Sequence, residues 1–181
     1  MDLGMEKIEK QLRKKEEQFD KVMVENRLIV RSCSNAIKAV HAHDLVQAKK
    51  HLQEAEKGLA KLRKEAGAFP SQLHHILQEY VEATVVISAV EKKRIPPYGD
   101  FDIDPVPYLN GLLDATGELK REMYESLRHG KKKDAEGYFQ MMEGIYDALL
   151  PLRFSNSVLP EFRRKQDVAR IQIEQARGEL L

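Results

Sequence analysis

The chain reads as all-α, and three observations say so. Apolar residues recur at helical spacing in nearly every segment, no stretch alternates apolar and polar residues as a half-buried strand does, and prolines or glycines punctuate the sequence where helices should begin and end. The expected architecture is an antiparallel bundle of about six to seven helices with a long first helix, because short connections between helices make neighbours antiparallel.

The elements follow in order. Ile8, Leu12, Lys15, Phe19, Val22, Asn26, Ile29, Cys33, Ala36 and Val40 advance by alternating steps of four and three. That is a heptad seam interrupted only by Lys15 and Asn26, and a helix carrying it is on the order of 50 Å long. A second stripe of this helix, Arg27, Arg31, Ser34, Lys38 and His41, shares one face. It reads either as a phosphate-lining surface or as a solvated flank.

Asp44 has the chemistry of an N-cap for a second helix, through Leu45, Ala48, Leu52, Ala55, Leu59 and Leu62 to about Glu65, with Gly67 as its stop. Pro70 and Ser71 open a third helix that ends before Pro96-Pro97, and a loop from about Ile95 to Asp104 follows. Pro105 or Pro107 starts a fourth helix, which stops near Gly130. Lys131-Lys132-Lys133 then forms a basic turn. Asp134 caps a fifth helix through Tyr138, Met141, Met142, Ile145 and Leu149, and Pro151 ends it. The last helix runs from about Glu161 to Arg177 with a looser stripe of Phe162, Val168, Ile171 and Ile173.

Composition narrows the function classes. A chain of 181 residues with 42% hydrophobic content supplies one substantial core, so residues 1–181 are expected to form one domain. The balance of 30 Lys and Arg against 29 Asp and Glu provides no global field, so any polyanion must be held by local clusters. The single cysteine, Cys33, excludes an internal disulfide, and no Cys/His cluster has zinc spacing. The Lys- and Glu-rich N-terminus has no apolar signal core and no later stretch reaches membrane-span length, so a cytoplasmic protein is expected.

The chemistry concentrates in two motifs. Glu79-Tyr80-Val81-Glu82 and Asp114-Ala115-Thr116-Gly117-Glu118 each place two carboxylates one helical turn apart. Like charges at that spacing repel by roughly 0.2–0.5 kcal/mol per pair even on an exposed helix, which calls for compensation. A hard cation such as Mg²⁺ or Mn²⁺ takes oxygen ligands and keeps positions open for water and a phosphate. The face bearing Glu79 and Glu82 also carries His75 and turns apolar at Ala83, Val86 and Val90. Asp114 and Glu118 point away from the apolar side of Tyr108, Leu112, Leu119 and Met123, in the company of Asn110, Gly111, Gly117 and Arg121. The two glycines leave room for a close approach to the backbone, and Arg121 offers a planar phosphate donor. The plainer alternative is that such pairs arise by chance in a chain one-third charged, with Arg121 a partner of Glu118 and Tyr80 a packing residue.

The runs Leu77-Gln78-Glu79-Tyr80-Val81-Glu82-Ala83 and Pro105-Val106-Pro107-Tyr108-Leu109-Asn110-Gly111-Leu112-Leu113-Asp114-Ala115-Thr116-Gly117-Glu118-Leu119-Lys120-Arg121 closely resemble translin-associated factor X, the Trax branch of the translin family. Both motifs occur in order with a Pro-bearing loop between them, and a looser likeness extends through Arg27, Ile29, Ile37 and His41 to the last helix. The resemblance implies helical bundles assembled into hollow oligomers, usually octamers, that bind RNA inside and cut it with Mg²⁺ held by acidic residues. Matched by motif, the catalytic and metal-binding set is Glu79, Glu82, Asp114 and Glu118. The resemblance also implies that plain translin carries an incomplete set and binds without cutting, so the complete set points to the nuclease branch. The compact loop at Ile95 to Asp104 departs from animal members, which carry a longer insertion; self-assembly into a homo-oligomer is the expectation.

Three functions are therefore in contention. The first is a Mg²⁺- or Mn²⁺-dependent endoribonuclease, with Arg27, Arg31, Lys38 and Arg121 on the RNA backbone. The second is a scaffold that binds RNA or single-stranded DNA without cutting it. The third, a di-iron carboxylate protein, needs Glu-x-x-His motifs, and none of the six histidines has a Glu three positions before it.

Overall fold

The computed structural model describes residues 3–65 and 69–180. Six α-helices, with no strand among the described residues, follow one another as α1 (Met5–His41), α2 (Leu45–Glu65), α3 (Pro70–Val90), α4 (Pro105–Arg128), α5 (Lys132–Leu149) and α6 (Phe162–Leu180). A short 3₁₀ turn, Tyr98–Asp100, lies in the α3–α4 loop.

Local chemistry sets these boundaries. The Asp44 carboxylate accepts from the Gln47 amide at 3.0 Å and caps α2, as its position in the sequence suggests. Pro70 and Pro105 occupy first-turn positions, where a missing N–H costs nothing, and the Asp104 side chain accepts from the Val106 amide. At the other ends α1, α3 and α4 finish alike. Asp44, Lys93 and Lys131 each donate an amide proton five residues back, beside a left-handed residue at His43, Lys92 and Gly130. Gly130 is the residue a sequence reader expects there; His43 and Lys92 take the same conformation without that signal. Gly67, the expected stop for α2, lies outside the described residues. Asp134 does not cap α5. That helix starts at Lys132, and Asp134 sits in its first turn paired to Lys92 at 2.8 Å, where the carboxylate still favours the positive end of the helix.

The core joins two groups of helices. α1 packs on α2 and α3, α3 packs on α4, and α4 carries α5 and α6 on its other sides. Its centre includes Ile29, Leu62, Val81, Val86, Leu119, Met123 and Met142, all essentially without exposure. The buried stripe of α6 is Phe162, Gln166, Ala169, Ile173 and Ala176. Val168 and Ile171, expected inside, are exposed instead. The α3–α4 loop is tied down by its own aromatic cluster. Phe101 lies edge-on to Tyr80 and tilted against Tyr108, Tyr108 donates to the Pro96 carbonyl, and Arg63 of α2 reaches Asp102. Tyr80 is thus a packing residue.

The heptad seam of α1 divides. From Val22 to Val40 it is buried, whereas Met5, Ile8 and Leu12 stand open to solvent. They line, with Phe19 and Phe69, a groove of about 740 Å³ that ends where those two rings meet edge to face at 5.3 Å.

Candidate metal and nucleic-acid site

The two acidic motifs come together because α3 and α4 touch backbone to backbone. A Cβ on Gly111 would lie 2.7 Å from the Gln78 carbonyl oxygen and 2.8 Å from Val81 Cβ. Glycine is therefore required at this crossing, and the room it leaves is filled by α3 rather than by a ligand. Gly117 plays a similar part toward α6, with the Gln172 amide 3.1 Å from where its Cβ would be. The crossing sets Glu79 and Glu82 of α3 beside Asp114 and Glu118 of α4. Gln78 bridges the two helices, donating from Nε2 to Asp114 Oδ2 at 2.7 Å.

The electrostatics record how close the four carboxylates are. Burial, reinforced by the charges of Glu79, Asp114 and Glu118, pushes the Glu82 carboxyl up to about 8. Glu79 is raised as well, by burial first; His75, 3.8 Å away, works against the shift, and Asp114 adds to it. Beneath them Cys33 of α1 is buried and its thiol is pushed up to about 12, further raised by Glu79 and Glu82. It stays protonated and is no nucleophile.

Two basic side chains answer these charges. Lys165 of α6 places its ammonium 2.5 Å from Asp114 Oδ1 and works against the rise at both Glu79 and Glu82. His41, at the end of α1, lies between Glu118 Oε2 at 2.5 Å and Glu122 Oε1 at 2.6 Å, with its side chain only 7% exposed. Burial opposes its charge, but the hydrogen bonds to Glu118 and Glu122 prevail and lift it to about 9. The same hydrogen bond holds Glu118 below the usual carboxylate range.

The donor set is all carboxylate oxygen, the chemistry a hard cation such as Mg²⁺ or Mn²⁺ selects. Glu79, Glu82 and Glu118 each keep at least one oxygen without a protein hydrogen bond, whereas both Asp114 oxygens are engaged. Among the described residues no three His, Cys, Asp or Glu groups stand close enough to close on one ion as they are placed. The partly exposed acids flank the α3–α4 crossing, a strip we call the acidic groove, and do not converge on a point.

A family model described as the Translin family matches residues 5–176. The chain belongs to the Translin family. An uncharacterised protein of Methanocaldococcus jannaschii is 30% identical over 167 residues, which cover 90% of this chain and 74% of that one. Among solved structures, a chain of the AfC3PO–duplex RNA complex matches with a TM-score of 0.90 at 27% identity, over 98% of this chain and 95% of its own. A chain of apo-NeC3PO matches with a TM-score of 0.88 over 99% and 97% of the two chains, and at 24% identity that likeness speaks for the fold alone.

In this Translin-family chain the basic residues singled out in the sequence fall in different places. Arg27 and Arg31 are exposed on α1 and line, with Asn26, Gln72 and His75, a surface cavity of about 440 Å³. His75, which lines this cavity, stands 3.8 Å from Glu79. Lys38 is exposed further along α1, and Arg121 is exposed on α4, close enough to lower the pKa of both His41 and Glu118. His41 leaves the basic stripe of α1 altogether, since it is buried against carboxylates and faces no phosphate surface. Sequence reasoning passed over Glu122 and Lys165. Glu122 continues the i, i+4 series of Asp114 and Glu118, a signal the sequence does carry. Lys165 offers none, because only the packing of α6 on α4 brings it near Asp114.

Proposed function

We propose that this Translin-family chain is a metal-dependent endoribonuclease of the Trax type that works as a hollow homo-oligomer, an octamer by resemblance. The observation that carries the reading is the gathering of Glu79, Glu82, Asp114 and Glu118 at the α3–α4 crossing, where burial, reinforced by the other three charges, pushes the Glu82 carboxyl up to about 8. Lys165 and His41 answer Asp114 and Glu118, and a bound cation would offset the charge that Glu79 and Glu82 add beside them. The likeness to a chain of the AfC3PO–duplex RNA complex supports RNA as the polymer.

In this mechanism the four carboxylates hold Mg²⁺ or Mn²⁺. Bound there, the ion supplies an activated water and neutralises charge on the scissile phosphate. Glu79 and Glu82 would contribute from α3, with Glu82 ligating in its ionised form. Glu118 is held in orientation by His41, which is itself fixed by Glu122, so the carboxylate presents its second oxygen to the groove. Arg27, Arg31, Lys38 and Arg121 position the backbone of the RNA through its phosphates, setting register without reading sequence. Association between copies fits the open apolar seam at Met5, Ile8 and Leu12.

The test is cleavage of a short RNA with Mg²⁺. Glu82→Ala and Asp114→Ala should each reduce the rate by more than about 100-fold, since even losses around a metal's ligands reach 10–100-fold. Undiminished cleavage in both removes the carboxylates from the mechanism.

The second reading is a scaffold that retains RNA or single-stranded DNA without cutting it. Its support is that Asp114 is already neutralised by Lys165 and that no three acids close on a point among the described residues. Filter binding with and without EDTA, beside a cleavage gel, separates the two: a scaffold retains the polymer equally in both and leaves it intact.

A further inference from the structure

Lys165 is placed with more care than an ordinary surface ion pair. Its backbone is fixed by buried neighbours on both sides, Phe162 and Ala169, and by Gln166, which donates to the Leu149 carbonyl at 2.8 Å. Its side chain, 15% exposed, reaches from α6 across to α4 and ends 2.5 Å from Asp114 Oδ1. The ammonium does not serve Asp114 alone, for its charge is also felt by Glu79 and Glu82 on α3. A lysine whose only role was to tie α6 to α4 would need no exposure to the α3 acids.

The other side of the groove is built differently. Glu118 is clamped by the rigid ring of His41, whereas Asp114 is held by two flexible side chains, Gln78 and Lys165. A lysine is a compact charge on a four-carbon stem, able to swing several ångströms without moving its helix. Each Asp114 oxygen accepts one hydrogen bond and keeps a second lone pair, so what opposes a cation there is the charge of the Lys165 ammonium rather than a lack of acceptor sites. A second positive charge entering the groove repels Lys165 and leaves Gln78, which is neutral, in place.

We propose that Lys165 is an exchangeable internal cation: it neutralises Asp114 while the groove holds no divalent ion, and moves onto the RNA phosphate when the acids take one up. The lysine thus competes with the metal in the free protein and assists it in the complex. This rests on the metal-nuclease reading above. It explains how Asp114 stays beside Glu79 and Glu82 in the metal-free chain.

The experiment compares the full-length wild-type protein with Lys165→Met and Lys165→Gln, measuring Mn²⁺ affinity without RNA by electron paramagnetic resonance and cleavage of a short RNA at saturating Mg²⁺. Loss of the competing charge should tighten Mn²⁺ binding roughly three- to tenfold, the scale of a half-buried ion pair. Cleavage at saturating metal should fall about tenfold or more, because a charge on the phosphate is lost. A purely structural lysine moves neither quantity in this opposed way. Unchanged or weaker Mn²⁺ binding in both folded variants overturns the proposal, and so does tighter binding with undiminished cleavage. Lys165→Gln keeps a donor to Asp114, so it preserves the fold if Lys165→Met does not. Asp114→Asn is the separate arm for the reading beneath: if it leaves Mn²⁺ binding at the wild-type level, the metal reading fails and the proposal with it. Weakened binding in Asp114→Asn, with no change in either Lys165 variant, overturns the proposal alone.

Discussion

The acidic groove and the first turns of α1 are both incomplete in a single chain, in opposite ways. In the groove the protein has gathered like charges and half-buried them, leaving Glu82 pushed up to about 8 and Asp114 dependent on Lys165. At the start of α1 it has gathered apolar side chains and left them open, with Leu12 61% and Ile8 45% exposed. On the function proposed above, the one takes a cation and the other an apolar surface. The difference teaches that a region's unmet requirement identifies the class of its partner: charge asks for charge, and apolar area asks for apolar area.

The comparison breaks most readily at the α3–α4 crossing, on which only the groove depends. Gly111→Val places atoms where Gln78 and Val81 already stand and should cost about 3 kcal/mol or more. Thermal melts would show the loss, and Mn²⁺ affinity should fall with it because the two acidic helices are forced apart. Preserved stability would mean that the helices slide without cost and that their approach does not define the site.

The apolar end is probed by Leu12→Glu together with Ile8→Glu. These residues touch little within the chain, so the stability of the folded chain should change by no more than about 0.5 kcal/mol. Association should weaken by at least about tenfold in sedimentation, since charges at the centre of an apolar contact are costly. An assembly as tight as the wild type would show that the seam is not where copies meet.

Acidity sharpens the contrast, because burial shifts groups in the groove. Glu82 is raised from 4.5 to about 8, so the folded chain holds that proton more tightly than the unfolded one. The resulting stabilisation is complete below about pH 4.5 and is lost as the pH rises through 8. His41, raised from 6.5 to about 9, has the same sign, with its contribution complete below 6.5 and lost through 9. The metal-free protein should therefore melt on the order of 5 °C lower at pH 9 than at pH 6.5. Mg²⁺ should recover more of that loss at the alkaline end, where Glu82 is already ionised. A flat or rising profile without metal would contradict the coupling of these groups.

The smallest effect belongs to an exposed cap, three residues beyond His41, whose carboxylate bonds its own helix. Asp44→Ala removes the cap of α2 and should cost about 1 kcal/mol, with Mn²⁺ affinity and association unchanged.

By itself the sequence determined the helices, most of their ends and the four acids. Periodicity and caps act within a few residues of each other, so Asp44, Pro70, Pro105 and Gly130 announce their roles locally, and two carboxylates one turn apart are visible without a fold. Tertiary structure decided what meets what. It turned the apparent ligand space at Gly111 into a helix crossing, drew His41 off the basic stripe to lie between Glu118 and Glu122, and carried Lys165 from α6 to Asp114. It also split one continuous heptad seam into a buried half and an open half. The physical reason is common to all four: a side chain's neighbours within its own helix follow from spacing, whereas its neighbours on other helices follow from how whole faces pack, and no local pattern records that.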